Sequence, residues 1–274
     1  MKRLYIVSTG AGGVGYISPE ALKAIEESEV IVSYSKYARE LGSLIQGKEL
    51  FTSGMTHEIA RCAQAIEYAR QGKTTAILSN GDVNVYGMAT LIVELMDEKD
   101  LWDEIELISL PGVTSFLAAA SKAGAPVSQD FAIVSLSDRL TDINLIDKRI
   151  KFALECDFVL GVYNPKSKKR IKPYQNFLAR LKEVEERIVI IAQNVGRGDK
   201  EVITVTNSSD LIKQDIEHES IGMNTIIIVG NSSTKLTKNN KVLTPRGYLN
   251  KYDLTGELKE EDDEKTFYVL YWII

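Results

Sequence analysis

Short β-branched runs alternate with helical stretches along most of the chain, and this alternation constrains the fold more than any other feature. Runs at 4–7, 30–32, 74–78 and 105–108 occupy the first half, and runs at 131–136, 158–162, 188–192, 202–205 and 225–229 the second. Strand alternating with helix predicts an α/β fold, with helices covering the sheets. The helices carry their own punctuation. Ser18-Pro19-Glu20 offers an N-cap, a proline at the first helical position and an acid in the first turn, ahead of Leu22 and Ile25 at helical spacing. Ile59, Cys62, Ile66 and Ala69 mark one face of a second helix, with Gly72 as its stop, and a third is expected over 143–155.

A chain of 274 residues, 44% of them hydrophobic, is long enough for two cores at roughly 150 residues per domain. The break at Ala123-Gly124-Ala125-Pro126-Val127-Ser128 is the best boundary, giving an N-terminal α/β domain over 1–126 and a C-terminal α/β domain over 127–250. The remainder, 251–274, is a tail with an acidic run followed by an apolar octapeptide, read as a solvated linker and a docked final strand. That run, 257–265, holds six acids and two lysines, so it carries −4 of the net charge of −5. The body is therefore nearly neutral, and its charge neither attracts a nucleic-acid backbone nor repels a polycarboxylate.

Nearly every predicted strand ends in a polar, glycine-rich segment. Ser8-Thr9-Gly10-Ala11-Gly12-Gly13, Ser79-Asn80-Gly81-Asp82 and Pro111-Gly112-Val113-Thr114 do so in the first half. Ser135-Leu136-Ser137-Asp138, Tyr163-Asn164-Pro165, Asn194-Val195-Gly196-Arg197 and Gly230-Asn231-Ser232 do so in the second. Open α/β sheets bind ligands beyond the carboxyl ends of their strands, so two such sets predict an active-site cleft between the domains. Each glycine taken singly is a turn residue; the set carries the expectation.

Activated side chains are scarce. Gly10 to Gly15 does not keep the dinucleotide spacing, and no phosphate-binding lysine loop, serine elbow or zinc-binding helix is present. His57 and His218 have no ligand partners at useful spacing and read as surface residues of helices, and Cys62 and Cys156 read as small core residues. No metal site is expected. The N-terminal apolar stretch is too short for a signal peptide and the longest apolar run is far shorter than a membrane span, so a soluble, cytoplasmic protein is expected, with no membrane or nucleic-acid partner. Chemistry that depends on alignment suits such loops, and methyl transfer from a sulfonium donor is one example.

Leu4-Tyr5-Ile6-Val7 through Ser18-Pro19-Glu20-Ala21, Gly81-Asp82 to Tyr86-Gly87-Met88-Ala89, and Pro111-Gly112-Val113-Thr114 resemble the tetrapyrrole methylases. Ser135-Leu136-Ser137-Asp138, Tyr163-Asn164-Pro165-Lys166-Ser167, Asn194 with Gly196-Arg197, and Thr244-Pro245-Arg246-Gly247-Tyr248 are similar to the branch that methylates C17 of a corrinoid precursor. The resemblance covers about residues 3 to 248. It implies a two-domain fold, usually a homodimer, that takes S-adenosylmethionine and a tetrapyrrole, methylates C17 and contracts the ring. It places Asn80, Gly81, Asp82, Val85, Thr114, Ser115, Asn164 and Val195 against the donor. Ser137, Arg139 and Arg170 are placed against the tetrapyrrole, with Asp138 as the acid or base of contraction, against its alternative as a helix N-cap. Lys166, Lys168, Lys169, Arg197 and Arg246 are further candidates for pairing with its carboxylates. A methylase acting at another ring carbon and a degenerate tetrapyrrole binder are the competing readings. Three departures from the family pattern bear on the latter. Ala11 replaces a proline, Val83-Asn84 replaces Pro-Gly, and Gln129 replaces a histidine.

Overall fold

The predicted strands assemble into two five-stranded sheets in the structure, a computed structural model that describes residues 2–54, 56–217 and 219–259. Strands β1 (Lys2–Ser8), β2 (Val30–Tyr34), β3 (Glu49–Ser53), β4 (Thr75–Ser79) and β5 (Ile105–Leu110) form an all-parallel sheet in the order β3-β2-β4-β1-β5. Both of its faces are covered. Along β1, Leu4 and Ile6 enter one core with Cys62 and Ile66, while Tyr5 and Val7 enter the opposite core with Ala21 and Ile25. Period-2 alternation into two cores is why the strand reads as an unbroken apolar run. Strand β3, too polar and exposed to register in the apolar pattern, completes the edge.

A two-residue strand, β6 (Gly124–Ala125), leads to the second sheet. That sheet comprises β7 (Phe131–Ser135), β8 (Val159–Tyr163), β9 (Ile188–Gln193), β10 (Val202–Asn207) and β11 (Thr225–Val229), in the order β10-β9-β11-β8-β7. Two further short strands, β12 (Lys235–Leu236) and β13 (Val242–Leu243), pair with each other, and β13 pairs with β6. Because β11 is antiparallel to both β8 and β9, strands β7, β8 and β9 point the same way. Their carboxyl ends therefore share one sheet edge with the start of β11. The loop 230–233 after β11 lies at the other edge, where Asn231 and Ser232 bond Gln129 and Asp157, and so does not join the remaining strand-end loops as the sequence suggests. Gln129 also donates to the Pro245 carbonyl at 2.6 Å, which places Arg246 at that far edge as well.

The helix Ser115–Ala123 follows β5 of the first sheet but packs on the second, against β10 and β11. Phe116 is fully buried with Ile190, Ala192, Ile226 and Ile228, a burial that contributes about 1.5–3 kcal/mol. Gly161 on β8 makes room for it, since a Cβ there would fall 2.5 Å from the Phe116 ring. The chain thus passes from one sheet's packing to the other's at 111–114, ahead of the expected break near Pro126. The apolar octapeptide and most of the acidic run, like His218, lie outside the described residues. Among the described residues no helix is long and apolar enough to cross a membrane.

Candidate active site

The loops following β1, β4 and β5 are interlocked. Gly10 and Gly81 exchange backbone hydrogen bonds at 3.2 and 2.7 Å, and the Val83 amide donates to Ser8 Oγ at 3.0 Å. Asp82 accepts from the Asn84 amide through Oδ1 at 2.8 Å and from the Gly112 amide through Oδ2 at 2.9 Å. At Gly112 a Cβ would sit 2.4 Å from Ser8 Cβ and 2.6 Å from the Gly81 carbonyl oxygen, so the packing of the three loops requires glycine there. The departures in the β4 loop are absorbed locally. Val83 is buried in the core of the first sheet, Asn84 is held by Asp82 without a positive φ, and the positive φ values of the loop fall at Gly81, at 70°, and Tyr86, at 54°. Ala11 is buried in the core of the second sheet. Beside it, Gly12 and Gly196 pack backbone to backbone, joining the β1 loop to the β9 loop.

A cavity of about 270 Å³ opens where these loops face the carboxyl edge of the second sheet. Asn80, Gly81, Val85, Thr114 and Ser115 line it from one side, and Asn164 and Val195 from the other, so the structure brings these seven together. Asp82 does not line it; both of its oxygens are engaged in tying the β4 and β5 loops together. Tyr163 at the end of β8 reaches across, accepting from the Phe116 amide at 3.0 Å and sharing a short hydrogen bond with Thr114. Thr9 donates to Asn80 Oδ1 at 2.8 Å, which fixes the orientation of that amide. Glu40 accepts from Arg197 Nε at 3.1 Å, linking the helix Ser35–Leu41 to the β9 loop at the cavity rim.

A second cavity of about 500 Å³ adjoins the first. Ser137, Asp138, Arg139 and Arg170 line it together. The N-cap of the helix Ile143–Glu155 is Asp142, which accepts from the Asn144 and Leu145 amides, so Asp138 is free of the capping role that sequence allowed it. Arg170 donates to the Leu136 carbonyl and lies 3.5 Å from Met223 Sδ; burial holds its guanidinium below the usual range, with Asp138 opposing. Of the other cations, Lys169 lines this cavity, Arg197 lines the first, and Lys166 donates to the Ile216 carbonyl.

Tyr34, Tyr37, Asn164 and Met223 line both cavities and form the boundary they share. The two tyrosine rings meet edge to face at 5.0 Å, and burial raises the Tyr37 phenol above its usual pKa. Sequence reading identified Asn164 alone of these four. Tyr34 ends an apolar strand, Tyr37 opens a short helix, and Met223 lies in a loop without motif character. The first cavity combines carboxamides and hydroxyls with small apolar side chains around two close-packed glycine loops, a donor set that fits an adenosine and an amino-acid moiety. Among the described residues no group of three or more histidines, cysteines or carboxylates is placed to hold a metal ion.

Residues 3–211 match the family of tetrapyrrole (corrin/porphyrin) methylases. A curated relative from Methanocaldococcus jannaschii, named a probable cobalt-factor III C(17)-methyltransferase, is 39% identical over 255 residues, spanning 92% of this chain and 100% of the relative. The solved structure of the methyltransferase CobJ is 31% identical with a TM-score of 0.81, covering 89% of this chain and 100% of that one. The fold also matches a uroporphyrin-III C-methyltransferase from Thermus thermophilus, solved with S-adenosylhomocysteine. That match has 18% identity and a TM-score of 0.62, over 83% of this chain and 92% of the other.

Proposed function

The chain belongs to the tetrapyrrole methylases, and from that premise we propose that it transfers a methyl group from S-adenosylmethionine to C17 of precorrin-3B or cobalt-factor III, with contraction of the macrocycle, in cobalamin biosynthesis. The observation that carries the proposal is the pair of adjoining cavities at the carboxyl edges of the two sheets, with Tyr34, Tyr37, Asn164 and Met223 as their shared boundary. A reaction between two bound molecules needs this arrangement, with one site for each and a shared boundary where the reacting atoms meet.

S-adenosylmethionine, when bound, supplies an electrophilic methyl group on a sulfonium. Asn80, Gly81, Val85, Thr114, Ser115, Asn164 and Val195 hold it in the first cavity. Asp82 acts at one remove, keeping the β4 and β5 loops in register so that their backbone groups are preorganised. In the second cavity Arg139 and Arg170 face the tetrapyrrole's carboxylates and Ser137 donates a polar contact. Asp138, exposed and not needed as a cap, is the group that moves a proton during ring contraction. Tyr34 and Tyr37 cover the shared boundary with aromatic surface and keep water from the transferring methyl. The enzyme works in the cytoplasm as a homodimer, which sedimentation equilibrium would read as twice the chain mass.

Calorimetric titration tests the donor half of the reading. Saturable binding of S-adenosylmethionine is expected, and no heat at millimolar donor would sink it. Turnover with the purified precursor then tests the acceptor half, with the methylated, ring-contracted product as the expected result.

A further inference from the structure

Arg61 lies on the helix Glu58–Arg70, where a 5% exposed guanidinium is out of keeping with a cation on an amphipathic helix. The buried face of that helix is Arg61, Cys62, Ala65, Ile66 and Ala69, whereas Ile59 is 66% exposed. Arg61 Nη1 donates to Ser53 Oγ at 2.7 Å and to the Gly54 carbonyl at 3.2 Å, both neutral acceptors. The nearest carboxylate, Glu58, stands 3.9 Å from Nη2, beyond hydrogen-bond distance. Among the described residues, Nε and Nη2 have no hydrogen-bonded partner, and neither is sealed from solvent, so the charge keeps only the long ion pair to Glu58 and retains donors for a ligand.

The guanidinium lines the second cavity, on the wall contributed by the first sheet. Arg139, Lys169 and Arg170 line the opposite wall, from loops of the second sheet, and among the described residues only Glu58 and Asp138 oppose these cations within the cavity. A ligand carrying carboxylates on several sides of a flat body would complete both walls at once. We propose that Arg61 is a specificity-determining residue that pairs with one carboxylate of the tetrapyrrole. It anchors the ring's far side against the first sheet and so sets the ring atom presented at the shared boundary. The proposal rests on the tetrapyrrole reading above. It adds a buried anchor on the wall for which sequence offered no candidate.

The test is a spectroscopic titration of the full chain with cobalt-factor III, as the free acid and with its side chains converted to primary amides. Binding is read directly, so the outcome does not depend on whether methyl transfer follows; an absence of turnover with intact binding would count against the proposed function and leave Arg61 standing. Arg61→Gln is expected to weaken binding of the free acid about tenfold to a hundredfold, the range for a hydrogen bond to a charged group. It should leave S-adenosylmethionine affinity unchanged and narrow the preference for acid over amide by the same factor. Arg61→Lys, which keeps the charge without the planar fork, should recover part of the loss. A merely structural Arg61 would show weaker binding with the acid-over-amide preference of the unmodified protein, and that result, or unchanged binding, would overturn the proposal. Should Arg61→Gln fail to fold, the same preference measured on Arg61→Lys decides. Partial narrowing supports the anchor, and full retention refutes it.

Discussion

Asp82 Oδ2 accepts the Gly112 amide at 2.9 Å while its other oxygen accepts the Asn84 amide, so one carboxylate joins two loops that wall the first cavity. Its expected effect on the donor is indirect. Asp82→Ala frees both amides and is expected to lower stability by about 1.5–3 kcal/mol and to weaken S-adenosylmethionine binding as the loops separate. Paired thermal melts and calorimetric titrations check this. Donor affinity unchanged in a destabilised protein would show that the loop staple does not shape the site.

Gly112 tests the same architecture from the opposite side. Gly112→Ala places a methyl group into Ser8 and the Gly81 carbonyl, neither of which can move without breaking the Gly10–Gly81 bridge. The expected result is loss of donor binding together with a cost of about 1–3 kcal/mol, as for overpacking in a tight core. The comparison variant Gly72→Ala, where no atom lies within 4 Å of the added methyl but φ is +88°, should lose stability and keep donor affinity.

Arg197 and Glu40 bridge the two walls at the mouth of the first cavity. Both side chains are partly exposed, so Arg197→Ala should change stability by no more than about 1 kcal/mol. Its signature is kinetic. With the rim tie removed, S-adenosylmethionine should leave faster in a stopped-flow chase, and the rate should lose much of its salt dependence. An unaltered dissociation rate would mean that the tie does not gate the mouth.

The two thiols should differ sharply. Burial pushes the Cys62 thiol up to about 12, whereas Cys156 is exposed. In the folded protein a thiol-specific reagent at neutral pH should modify Cys156 promptly and reach Cys62 only on unfolding. The stability linked to Cys62 is fully present below its unfolded pKa and is lost as pH rises towards 12, because only the unfolded thiol ionises in between. Cys62→Ala should flatten that alkaline part of the stability profile.

Most of the fold was legible because strands buried on both faces appear as continuous apolar runs, and because the Ser18 cap and the 143–155 helix follow local rules. The loops that wall the first cavity were legible as glycine-rich strand ends. Strand direction was not: the antiparallel run of β11 sends Gly230-Asn231-Ser232 and Arg246 to the far edge, and no local residue encodes that choice. On the second helix Cys62, Ile66 and Ala69 face the core as expected, but Ile59, apolar by type, is exposed, and Arg61 is buried in its place beside the second cavity. Tyr34 and Tyr37 escaped notice because nothing near them in sequence distinguishes a cavity wall from a strand end. Asp142 shows the converse case, an N-cap four residues beyond Asp138 with the same side chain and a purely local role.

The central claim is methyl transfer from S-adenosylmethionine to C17, and one labelling experiment tests it most directly. The protein is incubated with the precursor and S-adenosylmethionine carrying a ¹³C methyl group, and the purified product is examined by NMR. A single enriched methyl resonance correlated with C17 of a contracted ring is the predicted result. Enrichment at a different ring carbon, or an unlabelled precursor recovered intact from protein that binds both molecules, would contradict it.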